Sequence, residues 1–539
     1  MNDFVILNRK IKMRRLLSLP FLLAFTIGLF AQDDMGKDQK HVNQLTDNVQ
    51  YEVEMQGSFS SGKEPLWLHS NRYGLSSIEK SNGFLRTSVT RPLQTDSLQK
   101  WGIGYGVDIA IPYHFTSHVV LQQAFLEARY KKVVLSVGSK EYPMELKNNV
   151  LSSGSQTFGI NARPVPQVRL ALPEYIILPF GNSWLRVKGH IAYGRMTDDN
   201  WQHQFTNYQS KYVDNTLYHS KAGYLMIGNP DGFYPFSVEV GLEMATLFGG
   251  TAHFPQSNGT DILVQNATNL KAYWNAFMPG GNDVIENNSD YKNVEGDQLG
   301  SWTLRLNYDA DSWKLGFYGD KFFEDHSSML QLDYDGYGQG ENWDVKEKGR
   351  FFLYDLKDML LGAEVQLKYG SWLQNIVVEY LYSEYQSGPI YHDHTINMSD
   401  HIGGDDNFYN HGIYTGWQHW GEVMGNPLYL SPIYNEDGNI IVKNNRLMAF
   451  HLGISGKPFE SFLYRVLATY QEGFGTYDLP FTSKRREVNC LLEAGYHFMK
   501  GWQVRGSYGM DFGKIMGNNS GFQLSVSKSG ILNRHKRRK

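Results

Sequence analysis

The chain has 539 residues, a formal net charge of −4 and a single cysteine, Cys490, which leaves no electrostatic footprint for nucleic acid and no intramolecular disulfide framework. Aromatic residues make up 14%, charged residues only 20%, and there are 54 glycines. Beyond residue 31 no apolar run is long enough for a membrane helix, so a helical membrane protein is excluded.

The first 31 residues read as an export signal. Arg9, Lys10, Lys12, Arg14 and Arg15 form a basic n-region, Leu16 to Phe30 an apolar h-region, and Ala31 precedes the expected cleavage point. A retained anchor is the alternative, although the run is short for a span and contains Pro20. An exported chain of this composition is either a secreted all-β protein or a membrane β-barrel.

Alternation along the chain separates the two. Leu185, Val187, Gly189, Ile191 and Tyr193 oppose Arg186, Lys188, His190 and Ala192. Phe236, Val238, Val240, Leu242 and Met244 oppose Ser237, Glu239, Gly241 and Glu243. The same pattern recurs over Leu361 to Gly370 and Trp502 to Phe512. These are period-two strands of roughly 9–11 residues, the length a tilted strand needs to cross a bilayer. Aromatic residues gather at strand ends, as interfacial girdles do, and the polar phase mixes glycine with charges of both signs, which suits a wet lumen better than the outside of a sandwich.

Such segments start near Tyr51, Phe84, Trp101, Val119, Lys132, Val165, Trp184, Tyr218, Pro235, Ser301, Ser312, Leu360, Trp372, Arg446, Phe462, Glu487, Gly501 and Gly521. The fold class expected is an all-β transmembrane antiparallel barrel of about 18 strands, with 16 as the alternative, because bacterial single-chain barrels have even numbers. Its lumen is expected to be plugged by inserts and long extracellular loops. The segment near Val165 fits least: Pro164 and Pro166 cannot donate to a ladder, so the stretch Leu151–Tyr175 is not the middle of a central strand.

Short connections at Tyr130–Lys132, Asp309–Asp311, Tyr369–Ser371 and Met499–Gly501 alternate with long ones, the asymmetry of periplasmic turns and extracellular loops. The expected organisation is a signal peptide over 1–31, a polar segment over 32–50, a barrel over 51–528 and a basic tail over 529–539. Within the barrel, candidate plug segments lie at 61–82 and 145–175 and long loops at 249–300, 322–357 and 386–445. The segment Pro65–Gly74 is either a short helix or plug under the barrel or a plain connection.

The last long loop is rich in chemistry. His392, Asp393, His394, Asp400, His401, Asp405, Asp406, His411 and His419 are metal-ligand types, but no spacing matches a ligand framework, and the Asp333–Gly336 turn lacks the later glutamate of a calcium loop. No metal and no cofactor is expected. There is no G-x-S-x-G or H-E-x-x-H, and Ser152, Ser153 and Ser155 read as a serine-rich turn, so no enzymatic activity is expected. Carbohydrate fits better: sugars present apolar C–H faces and hydroxyl rims, matched by aromatic platforms among polar groups. Tyr409, Tyr414, Trp417 and Trp420, interleaved with Asp405, Asp406 and His411, are the expected polysaccharide-binding residues. The rival reading is that these rings pack the loop over the barrel mouth.

The run Leu151-Ser-Ser-Gly-Ser-x-x-x-Gly159-Ile-Asn161-Ala-Arg163-Pro-Val-Pro166-Gln-Val-Arg169 resembles the signature of the capsule-assembly Wzi family, in the wording of its Bacteroides-type versions. Pro65-x-Trp67 to Asn71-x-x-Gly74 resembles the family's N-terminal segment, and Gly403–His411 with Gly416–Trp417 its late loop motif. The resemblance spans nearly the whole chain after the leader. It implies an eighteen-stranded outer-membrane barrel with a periplasmic-side helical element and loops closing the outer mouth. The role it implies is lectin-like, holding or organising capsular polysaccharide at the cell surface. On that reading Trp67, Asn71, Asn161, Arg163, Gln167 and Arg169 pack the lumen. The expected partners are capsular polysaccharide, outer-membrane lipid and the barrel-assembly machinery, with no nucleic acid and the oligomeric state open. The alternative function is a porin-like diffusion channel, supported by the inward phase of Arg186, Lys188, Glu239, Glu243, Glu364 and Arg505.

Overall fold

The computed structural model describes residues 44–229, 232, 234–278, 296–324, 329, 336–338, 340–347, 357–370, 372–391 and 402–532. The signal peptide, Asp333, Asp335, His392, Asp393, His394, Asp400, His401 and the basic residues from Arg534 onward lie outside these.

Eighteen antiparallel strands form one sheet that closes on itself. In chain order they are β1 (Gln50–Ser61), β2 (Ser81–Arg91), β3 (Trp101–Tyr113), β4 (Val120–Tyr130), β5 (Val133–Ser139), β6 (Gln167–Ile177), β7 (Leu185–Arg195), β8 (Leu217–Ile227) and β9 (Phe236–Phe248). They continue as β10 (Asp297–Asp309), β11 (Trp313–Phe323), β12 (Met359–Leu367), β13 (Asn375–Tyr382), β14 (Arg446–Phe459), β15 (Phe462–Gly475), β16 (Pro480–Met499), β17 (Trp502–Gly513) and β18 (Asn519–Ile531). Each pairs with its sequence neighbours, and β1 closes onto β18 from Gln50 opposite Ile531 to Ser61 opposite Ser520. Closure leaves no sheet edge unpaired, as a chain surrounded by hydrocarbon requires.

The alternation resolves as the sequence predicts. Val53, Met55 and Phe59 of β1, Val107, Ile109 and Ile111 of β3, and Phe522 and Leu524 of β18 are exposed on the outer face, while Gln56, Ser58, Asp108 and Gln523 are buried inside. Cys490 shares the outward apolar phase of Val488 and Leu492. Ring pairs Trp101–Tyr130 (4.5 Å between centroids), Trp184–Tyr234 (5.0 Å), Tyr308–Trp313 (5.4 Å) and Phe498–Trp502 (6.1 Å) circle the end that carries the short turns. An apolar belt bounded by an aromatic girdle is a lipid-facing wall, and the molecule is an outer-membrane barrel.

Short connections such as 131–132, 310–312, 460–461 and 500–501 mark the periplasmic end, and 62–80, 140–166, 196–216, 249–296, 324–358 and 383–445 the extracellular end. Three expectations need correction here. The insert 62–80, with its short helix α1 (Leu66–His69), enters the lumen from the extracellular end and does not lie under the barrel. The second insert is 140–166, because the chain from Gln167 on is the wall strand β6. The two prolines stand just before that strand, where no ladder N–H is needed, and Pro173 falls in a break of register between Leu172 and Ile176. The closing strand runs to Ile531, inside the segment expected as tail. At the periplasmic end the described residues contain one short 3-10 turn, Leu93–Asp96, as a helical element.

The core lies in the lumen. Leu66, Trp67 and Leu68 of the first insert, Leu151, Ala162 and Val165 of the second, and Phe408, Tyr409, Trp417, Leu428 and Tyr429 of the loop 383–445 form one buried cluster with inward residues such as Phe322 and Leu467. Three inserts fold into the barrel and bury their apolar residues against one another. Among the described residues two further helices decorate the extracellular end, α2 (Trp201–Thr206) and α3 (Leu270–Phe277). Helix α3 packs on the outer wall, with Tyr273 against Tyr193 and Phe248 at 5.3 and 5.1 Å.

Candidate functional site

The inserts are held by carboxylates that the wall strands point inward. The hydroxyl of Ser152 and the amide of Ser153 donate to Glu379 of β13 at 2.5 and 2.7 Å. The Gln156 amide donates to Asp320 of β11 at 2.9 Å, and Lys147 pairs with the same carboxylate at 2.6 Å, both side chains almost wholly buried. The Ser/Gly run thus serves to bring backbone N–H groups within reach of buried acids. Those serines, weighed as a hydrolase feature and read as a turn, are fasteners of the plug. Two glycines are required by close approach: a Cβ on Gly453 of β14 would meet the Leu151 carbonyl at 2.5 Å, and one on Gly74 (φ +65°) would meet the Arg163 backbone N at 2.6 Å.

The signature residues converge. Asn71 receives the insert through its amide N–H to Asn161 Oδ1 (3.0 Å) and donates from Nδ2 to the Ser153 carbonyl (2.9 Å). Asn161 donates to the Val423 carbonyl (3.1 Å) and Glu422 (3.3 Å), and Trp67 Nε1 donates to Thr469 Oγ1 of β15 (3.0 Å). His69 and Glu422 meet at 2.5 Å. Burial pulls the His69 imidazole down, but the attraction of the Glu422 carboxylate outweighs it and holds the ring above its ordinary value. For Glu422 burial pushes up, and the charge and hydrogen bonds of His69 overcome it, so it stays below its ordinary value.

The residues expected to bind sugar divide. Tyr409, Tyr414 and Trp417 are each 1% exposed, which corrects their assignment as a platform. Tyr409 OH donates to the Gln156 carbonyl and Trp417 Nε1 to the Thr157 carbonyl (2.9 Å), so their polar ends are spent on the second insert. Rings with no open face cannot stack on a sugar, and these three are plug core. His411 is a turn former: its Nδ1 accepts from the Ile413 and Tyr414 amides (3.0 and 3.2 Å), and burial with the nearby Lys211 charge pushes it down to about 3. Asp405 pairs through its backbone with Ser387, and the Asp406 amide donates to the Gln386 carbonyl (2.7 Å). Among the described residues no group of three His, Cys, Asp or Glu side chains forms a metal site.

Trp420 is different. It is partly exposed, and the Arg163 guanidinium lies over its ring at 4.2 Å. Arg163 is steadied by donation to Ser117 Oγ (2.8 Å) and Thr116 Oγ1 (3.1 Å), and burial, only partly offset by Glu422, lowers it to about 10, still charged at neutral pH. Behind it His419 donates from Nδ1 to the Arg163 carbonyl (2.8 Å) and accepts from the Thr197 amide (3.2 Å), and burial drops it to about 4, so it is neutral. Trp420 and Arg163 line a cavity of about 460 Å³ at the extracellular end, together with Phe115, Trp201, Phe205, His114, Glu79 and Glu422. Trp201 and Phe205 of α2 stack at 4.8 Å, and Gly421 (φ +82°) admits the Trp201 ring, since a Cβ there would meet it at 2.5 Å. The cavity therefore offers four aromatic rings, one arginine and two carboxylates, contributed by five separate loops. Phe115, Trp201 and Phe205 carry no motif that marks them in the sequence. The one available signal is the i, i+4 aromatic pair in a turn between wall strands.

Gln167 and Arg169 do face the lumen, as expected, but from the wall strand β6, on the periplasmic side of the plug. There they line a second cavity.

Fold and site together define an outer-membrane β-barrel whose lumen is closed by its own loops and whose outer face carries an aromatic, charged cavity. No protein-family model matches the chain, and no curated protein matches it. Among solved structures the chain is similar to Wzi of Escherichia coli, described as an outer membrane protein involved in group 1 capsule assembly and a carbohydrate-binding β-barrel, at 11% identity over 88% of this chain and 83% of that one, with a TM-score of 0.49. It is also similar to Pseudomonas aeruginosa OprD (9% identity, 93% and 100% covered, TM-score 0.41) and P. aeruginosa OccK5 (8%, 90% and 99%, TM-score 0.43). Identities of this size assign no role to this chain.

Proposed function

We propose that this barrel is a lectin-like anchor that binds capsular polysaccharide at the cell surface, in the extracellular cavity framed by Trp420, Arg163, Trp201 and Phe205, and performs no bond-making step. The observation that carries the reading is the Trp420 ring, open on the cavity side and backed by a fixed guanidinium, among further aromatic faces and polar groups. Pyranose rings stack on such faces while their hydroxyls reach Arg163, Glu79 and His114. The role is also the one the signature resemblance implies.

The test is titration of the purified protein with the capsular polysaccharide of its own strain, followed by tryptophan fluorescence. Trp420→Ala should weaken binding about tenfold, equivalent to about 1.4 kcal/mol. Absence of binding by the unaltered protein, or a capsule that stays attached in a deletion strain, overturns the reading. Planar bilayers should stay electrically silent, because the three inserts close the lumen at its extracellular half. A steady open current without polymer binding would instead favour a diffusion channel for small solutes.

A further inference from the structure

The lumen below the plug is not filled. A chamber of about 540 Å³ extends from the underside of the second insert, at Thr157–Val165, down to the periplasmic connection at Pro92–Gln94. Ligand sites commonly span about 300–1,000 Å³. Its lining separates it from the surface cavity: only Arg163 borders both, and Trp420, on which the Arg163 guanidinium rests, lines the outer one alone.

The polar groups of this chamber are unequally satisfied. Its carboxylates hold partners: Glu127 pairs with Lys140 at 2.7 Å, Glu141 accepts from Gln122 at 2.7 Å and faces Arg86 at 3.4 Å, and Glu145 pairs with Lys188 at 2.5 Å. Arg91, at the lower end, pairs with Asp96 at 2.8 Å. Arg169 differs. Its guanidinium carbon lies over the Tyr142 ring, 4.0 Å from the centroid, and among the described residues it makes no hydrogen bond and no ion pair, with its Nε buried and unpartnered. Two residues earlier on the same inward face, the Gln167 side-chain oxygen is also buried without a partner. An arginine with its fork unused asks for a carboxylate, and an acceptor with no donor asks for a hydroxyl. Ser220 Oγ and His190 Nε2, 3.4 Å apart, line the same space, and Phe158 presents a ring beside His190.

We propose that this chamber is a second binding site, which takes a carboxylated sugar from the periplasmic side. The carboxylate docks on the Arg169 fork, a ring hydroxyl donates to Gln167, and the apolar face of the sugar lies against the aromatic lining. A neutral sugar satisfies Gln167 but leaves the guanidinium unpaired. A bare inorganic anion does the opposite.

The experiment is calorimetric titration of the full-length, detergent-solubilised barrel with D-glucuronate, D-glucose and inorganic phosphate. D-Glucuronate should bind saturably, with D-glucose and phosphate each at least tenfold weaker. Arg169→Gln should weaken D-glucuronate at least tenfold, and Gln167→Leu about threefold or more, with the heat-modifiable electrophoretic shift of a closed barrel retained by both. No D-glucuronate binding, equal binding by the Arg169→Gln variant, or phosphate binding as tight as D-glucuronate would each overturn the assignment. Titration of surface polymer on the same preparations reports separately on the outer cavity, so failure of either site is read on its own.

Discussion

Lys147 offers the sharpest test of how the plug is held. Its ammonium sits 2.6 Å from Asp320, the two side chains are 1% and 0% exposed, and the same carboxylate accepts the Gln156 amide at 2.9 Å. Lys147→Met removes the positive partner and leaves a buried carboxylate with only neutral donors. Breaking a buried pair from one side costs about 3–5 kcal/mol, because the remaining charge is desolvated and uncompensated. Taking about 3 kcal/mol, the population in which the second insert has left the wall rises roughly 100-fold, while the hydrogen-bonded wall itself is untouched. Hydrogen exchange at the amides of Ser153 and Gln156, which donate to Glu379 and Asp320, reads that population directly. The double variant Lys147→Met/Asp320→Asn removes the stranded charge but keeps an acceptor for Gln156, so it should exchange close to the unaltered protein. If the single variant exchanges like the unaltered protein, or the double is as fast as the single, the pair does not fasten the insert and the reasoning fails.

Gly74→Ala should loosen the first insert by about 1–3 kcal/mol, since φ is +65° there and the new methyl would press on the Arg163 backbone; limited proteolysis between 62 and 80 checks this. The His69–Glu422 tether has a signed pH dependence. His69 is raised above 6.5, so its contribution is present at lower pH and lost as pH rises through that raised value; Glu422 is lowered below 4.5, so its contribution is lost as pH falls through that lowered value. Protease resistance of α1 should therefore form a plateau spanning at least pH 4.5–6.5 and decline on both sides, and His69→Ala should flatten the profile. On the wall, Met55, 69% exposed near the middle of β1, faces lipid; Met55→Arg should cost about 2–4 kcal/mol of folding stability in bilayers, measured by denaturant titration, whereas a lumen-facing location would cost far less.

The barrel was legible because strand alternation is local. Leu185 to Tyr193 and Phe236 to Met244 declare their two faces by themselves, and evenness with turn spacing led to eighteen. The short turns were legible for the same reason. Even the stretch before β6 announced by its two prolines that it could not lie mid-strand.

Where the loops went was not legible. Tyr409, Tyr414 and Trp417 have the composition of a sugar platform, and only the fold shows Tyr409 and Trp417 bonded to an insert more than two hundred residues away and Tyr414 to the Gly249 carbonyl. Trp201 and Phe205 carry no motif and became candidates only because Trp420 and Arg163 arrive beside them from other loops. Arg163 and Arg169 stand six positions apart in one signature, yet one closes the outer cavity and the other waits, unpaired, in the chamber beneath. A strand's two faces follow from its own backbone geometry, whereas the facing of a loop residue depends on which distant carboxylate its backbone finds. Local alternation is therefore enough to specify the wall, whereas which aromatic and charged residues remain free to meet a ligand follows only from the long-range contacts of the loops.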